Sequence, residues 1–155
     1  MTNGESNIRG PLRWAPLAAA LFAFVGICDS VYLTVHHYTA EPVPCTITGG
    51  CEMVLTSRFA EIGGIPLAAF GVAAYVFAFI LAVISLFGNR RTWQLFGVQA
   101  TLMALFSGWL IYVQAAMIHA FCQFCLLSAA TSFTLCLIFI VSIFVRIARR
   151  AAPAA

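Results

Sequence analysis

The sequence predicts an all-α membrane protein, a four-transmembrane-helix bundle with an outer loop carrying a short interfacial helix. Three observations predict it. Of 155 residues, 63% are apolar and 8% charged, against about 25% charged in an ordinary soluble domain, and mean hydropathy is +0.99. Four apolar runs each approach the roughly 20 residues that a bilayer core requires. The basic residues, all of them arginine, divide unevenly among the segments between those runs.

The runs place spans at 14–35, 65–87, 95–117 and 122–145, with an outer loop over 36–64, in a single integral membrane domain over 1–155. Arg9 and Arg13 precede the first span as they would a signal peptide. Its apolar stretch exceeds an h-region of about 7–15 residues, so it reads as a permanent helix. Four spans put both termini and the 88–94 loop on one side, with Arg9, Arg13, Arg90, Arg91, Arg146, Arg149 and Arg150; the other side holds Arg58. By the positive-inside rule both termini are cytoplasmic. The 36–64 loop and the 118–121 turn then face outward, where disulfides form and persist.

The outer loop is the one substantial polar segment. Pro42 and Pro44 forbid a continuing helix, and Gly49-Gly50 gives a pliable turn beside Cys51. Cys45 and Cys51 close a loop short enough to bridge. "EMVLTSRFAE", from Glu52 to Glu61, reads as a short helix lying on the interface like a lid. Gly63-Gly64 ends it, and Pro66 opens the second span where proline is tolerated. Trp14, Trp93, Trp109 and Tyr112 read as interface anchors.

Cys122 and Cys125 open the fourth span in "FCQFC". Spaced i, i+3 they share a helix face, and the unsatisfied N–H groups of the first turn favour a thiolate at Cys122. Cys125 lies one turn deeper, towards lipid. One wet thiol beside one membrane-facing thiol can pass electrons between an aqueous disulfide and a lipid-soluble acceptor. Zinc held by these cysteines with His36, His37 and His119 is the competing chemistry, although structural CxxC zinc sites usually belong to small soluble modules. No metal is assigned. Asp29 sits inside the first span, where an ionisable group defaults to a functional hypothesis, a proton route, against a buried carboxyl bonded to a neighbouring helix. Cys28 and Cys136 read as packing thiols, and His36 and His37 as caps on the outer interface.

Cys45, Cys51, Ser57, "GIPLAAFGVAAY" over 64–75 and "CQFC" over 122–125, in that order, resemble the vitamin K epoxide reductase family in its bacterial form. The resemblance runs from the first helix through Ser128. It implies a four-helix bundle that holds a quinone, ubiquinone or menaquinone, beneath the loop helix in the bacterial cytoplasmic membrane. It also implies a thiol-disulfide oxidoreductase that makes disulfides in a thioredoxin-like (DsbA-type) protein. By position, Cys45 would exchange with that partner, Cys51 would attack Cys122, and Cys125 would pass electrons to the quinone. Ser57 matches the family's loop hydroxyl, which supports the site by hydrogen bonding.

Phe70, Phe121 and Phe124 are candidates to pack around the quinone ring. Many bacterial members carry a fused thioredoxin-like domain; this chain ends at "RIARRAAPAA", so the expected partner is a separate protein. Vertebrate members have a tyrosine four residues after the second CxxC cysteine where this chain has Ala129, which puts vitamin K epoxide as substrate in doubt. A DsbB-type reductase does the same job but carries its CxxC in the first outer loop. The alternative from another class is a non-catalytic scaffold or metal-binding protein with structural cysteines. Lipid is expected around the chain, and no nucleic acid.

Overall fold

Small residues decide how these helices meet. In a membrane, close approach of backbones replaces the hydrophobic drive as the source of packing. The computed structural model describes residues 14–39, 43–47 and 49–151. Arg9, Arg13 and Pro42 lie outside them, as does the side chain of Arg150. Helix α1, Trp14–Thr39, buries Ala15, Ala19, Ala23, Gly26 and Ser30 along one stripe. Helix α3, Leu67–Leu86, packs on it and buries Tyr75, Ala78, Ala82 and Ser85. Gly26 lies under the Tyr75 ring so closely that a Cβ there would collide with it, and a Cβ on Gly71 would stand a tight 3.1 Å from Ser30 Oγ.

Helix α4, Arg90–Val113, pairs with α5, Gln123–Ala151. Gly97 admits the Phe139 ring, and the stacked Trp93 and Phe96 rings are 4.7 Å apart. With α1 also against α5, and α3 against α4, the four long helices form a ring in the order α1, α3, α4, α5. All four are long and apolar enough to cross a membrane.

Boundaries shift from the sequence expectation for local reasons. Asn89 accepts from the N–H groups of Arg91 and Thr92 at 3.0 and 3.3 Å, so α4 begins five residues before the apolar run does. Its far end passes into a π turn over Gln114–Ile118, closed by His119 in the left-handed region at φ 54°. The expected loop helix over 52–61 shortens to α2, Cys51–Leu55. Thr56 Oγ1 and Ser57 Oγ donate back to the carbonyls of Glu52 and Val54, each at 2.7 Å, and such hydroxyls compete with the helix ladder. Beyond them β1, Glu61–Ile62, pairs antiparallel with β2, Ile65–Pro66. Gly63 and Gly64 form the turn at φ 62° and 83°, a conformation that suits the twist of a tight hairpin.

Trp93 overturns its expected place at the interface. It is 2% exposed, and its Nε1–H donates to Ser142 Oγ at 3.0 Å. A tryptophan with a polar partner inside the bundle buries its whole ring. Trp14, Trp109 and Tyr112 are exposed.

Two cysteine pairs above an apolar cavity

The end of the bundle that bears the α2 loop carries its own small core of Cys51, Val54 and Cys122, with Cys45, Ile118, Phe124 and Cys125 packed against it. Two glycines bring the loop there. Gly49 turns at φ 67°, and Gly50 rests on the 118–121 turn, where a Cβ would stand 2.8 Å from the Phe121 carbonyl oxygen. The chain then enters α2 at Cys51. Cys45 and Cys51 are joined as a disulfide with Cα atoms 5.8 Å apart, while Cys122 and Cys125 are free thiols. Cys51 and Cys122 are both fully buried; Cys45 is half-buried.

Two glutamines hold this arrangement. Gln114, buried in the π turn, accepts from the Cys122 N–H through Oε1 at 3.0 Å, and its backbone carbonyl takes the Ala120 N–H at 3.3 Å. Cys122 is thereby fixed one residue ahead of α5, its own carbonyl accepting from Leu126 N–H at 3.0 Å. Gln123 reaches the other way. Its Nε2 donates to the Pro44 carbonyl at 3.2 Å and its Oε1 accepts from the Ile47 N–H at 3.0 Å, so one side chain grips the loop on both sides of Cys45. The Cys125 thiol, hydrogen-bonded to Cys122, lowers the Cys122 thiol to about 7. Burial opposes this, and the N–H groups of Cys125 and Phe124 assist it, as expected at a helix start.

Below lies a cavity of about 340 Å3. Cys125, Ser128 and Ala129 of α5 form one wall, Asp29 and Ser30 of α1 and Phe70 and Tyr75 of α3 another, and Val54, Leu55 and Ser57 the roof. The Tyr75 hydroxyl bonds the Ser128 carbonyl at 2.6 Å and the Ser128 and Ser132 hydroxyls at 3.0 and 2.9 Å. His37 Nε2 meets Glu61 Oε1 at 3.2 Å, tying the end of α1 to the hairpin beside the roof.

Of the residues singled out by sequence, the four cysteines gather at one end, and Asp29, Ser57, Phe70 and Cys125 all line the cavity. Ser57 spends its hydroxyl on Val54. Asp29 does not bond to a neighbouring helix: both of its oxygens lack a hydrogen-bond partner. Phe121 and Phe124 lie outside the cavity lining. Phe121 is exposed, and Phe124 packs on Tyr32 with ring centroids 5.2 Å apart. The three histidines do not join the thiols, and among the described residues no three His, Cys, Asp or Glu side chains group as a metal would need. Cys28 is exposed and Cys136 approaches Thr101 Oγ1 at 3.9 Å, both away from the site. Sequence reasoning missed Gln114, Gln123 and the role of Tyr75. An amide or phenol inside or bordering an otherwise apolar run was the available signal.

Two comparisons with known proteins bear on this chain. A family model described as "Vitamin K epoxide reductase family" matches residues 17–140. The Arabidopsis thaliana protein named thiol-disulfide oxidoreductase LTO1 is 32% identical over 117 residues, a match covering 69% of this chain and 31% of that protein. The chain therefore spans about a third of that relative's length.

Proposed function

Since the chain belongs to the vitamin K epoxide reductase family, we propose that it oxidises a thioredoxin-like (DsbA-type) dithiol protein and passes the electrons through its two cysteine pairs to a membrane quinone. A thiol oxidoreductase is the part shared with the named relative. The observation that carries the rest is the stacking of the loop disulfide, then Cys122, then Cys125 on the wall of an apolar cavity.

The partner's thiolate attacks the half-buried Cys45 sulfur, its second thiol resolves the mixed disulfide, and the loop pair is left reduced. Cys51 then attacks Cys122 of an oxidised Cys122–Cys125 pair, with Cys45 resolving. Gln114 and Gln123 keep these sulfurs in register; attack at Cys122 expels Cys125, and a Cys122 thiol lowered to about 7 by the freed Cys125 is then a good leaving group as Cys45 resolves the Cys51–Cys122 mixed disulfide. The cavity suits a quinone, with an aromatic wall at Phe70 and unsatisfied oxygens at Asp29 for a polar ring substituent. Ubiquinone or menaquinone, when bound, supplies a two-electron, two-proton acceptor. Ala129 leaves the wall without the tyrosine of vertebrate members.

The arginines of α4's start and α5's end, Arg90, Arg91, Arg146 and Arg149, stand at the end opposite the cysteines. That distribution supports cytoplasmic termini, an outward cysteine loop and, with the bacterial form of the motif, the bacterial cytoplasmic membrane.

The test supplies purified protein with a reduced DsbA-type protein and ubiquinone or menaquinone, following quinone absorbance and partner thiols by alkylation. Quinone loss matched by partner disulfide, and absent in Cys125→Ser, is the expected result. Cysteines that stay fixed through the same mixture would instead make the protein a scaffold.

A further inference from the structure

Among the described residues, the only buried side-chain nitrogen or oxygen atoms without a hydrogen-bond partner are the two oxygens of Asp29. The residue is 7% exposed and lines the same cavity as Cys125. Neighbouring hydroxyls are committed elsewhere. Ser30 Oγ donates to the Gly26 carbonyl at 2.7 Å, and the Tyr75 hydroxyl is engaged by Ser128 and Ser132. A buried polar atom left unpaired is costly, and an ionisable side chain inside a span marks function by default. The missing partner is therefore expected from whatever fills the cavity.

Resting on the quinone reading above, we infer that Asp29 is a catalytic residue that hydrogen-bonds one quinone carbonyl oxygen and delivers the proton that oxygen takes on reduction. The two forms of the side chain match the two forms of the ligand. A carboxylic acid has an O–H to donate, and a quinone oxygen only accepts. A carboxylate only accepts, and a quinol has an O–H to donate.

The step balances without a further reactant. Cys122 and Cys125 release two electrons and two protons as their S–S bond forms, and the quinone takes two of each. One of those protons travels through Asp29, which gives its own to the quinone oxygen and is refilled by the proton leaving the Cys125 thiol that lines the same cavity.

Two measurements on protein in lipid nanodiscs test this, both with ubiquinone-1. In the first, ubiquinone-1 is added to oxidised protein, which cannot turn over, and the carboxylic C=O stretch is followed by infrared difference spectroscopy. A shifted band that is absent in Asp29→Asn is expected; no change in the wild-type carboxylic region overturns the inference. In the second, pre-reduced protein is mixed with ubiquinone-1 in a single turnover.

Asp29→Asn keeps an N–H donor and binds ubiquinone-1 with nearly wild-type affinity, but its turnover falls by about 100-fold, the low end of general acid catalysis. Asp29→Glu recovers most of the rate. An Asn variant within about twofold of wild type, while Cys125→Ser is inactive, overturns the role of Asp29 alone. A wild-type protein that reduces neither ubiquinone-1 nor a short-chain menaquinone overturns the quinone reading itself. Should Asp29→Asn fail to fold, the wild-type infrared band and the Asp29→Glu rate decide the matter.

Discussion

The two ends of this bundle are built on different principles. At the end bearing Arg90 and Arg146, helices are locked by shape: Gly97 under Phe139, Trp93 stacked on Phe96. At the opposite end a loop with a five-residue helix is held by a disulfide, two glutamines and a His37–Glu61 contact above a cavity. Packing that interlocks is costly to rearrange, while a few hydrogen bonds are exchanged at modest cost. The chemistry is placed on the half that can be rearranged.

The comparison breaks most visibly at Cys51. Cys51→Ala is expected to reduce coupled partner oxidation and quinone reduction to background while the bundle melts near its usual temperature. A normal rate of partner oxidation would overturn the relay order. Next in size is Gly97→Ala, whose Cβ would collide with the Phe139 ring. Overpacking of this kind costs about 1–3 kcal/mol, measurable as a lower unfolding temperature in detergent, and the folded fraction should exchange disulfides normally.

Gln123→Leu sharpens the contrast from the other side. Losing the grip on Pro44 and Ile47 costs about 1 kcal/mol, a factor of roughly five in positioning. Reduced loop thiols should accumulate at steady state on alkylation gels with no change in melting. The smallest effect concerns Cys122 alone. Its thiol, lowered to about 7 chiefly by the Cys125 hydrogen bond, should gain thiolate absorbance as pH rises through about 7. In Cys125→Ala that transition should move to higher pH, because the donor that favours the thiolate is gone. An unmoved transition would assign the shift to the backbone N–H groups.

The sequence made the four spans legible because run length and charge asymmetry survive any packing arrangement. It made the cysteine end legible because the spans themselves sort Cys45, Cys51, Cys122 and Cys125 to one side. Facing was much harder to read. In a bilayer both the lipid side and the packed side of a helix are apolar, so nothing in the pattern told that Trp93 is core and Trp109 surface, or that Phe70 alone of the three candidate phenylalanines lines the cavity. The loop helix was read too long because "EMVLTSRFAE" has an amphipathic pattern, whereas Thr56 and Ser57 turn their hydroxyls on the backbone. The π turn that presents Gln114 has no compositional signature, since its residues are ordinary helix formers.

The unequal exposure of the sulfurs has a consequence for electrical leakage. Cys51 and Cys122 are sealed from the surface, while Cys45 is half-buried in the loop and Cys125, also half-buried, lines the cavity. A stray soluble thiol arriving from outside meets Cys45 before any other sulfur of the two pairs, and one that cannot fit the loop finds no second terminal. Under the proposed relay the protein is an insulated wire with a contact at each end, and burial restricts where a soluble thiol can charge it.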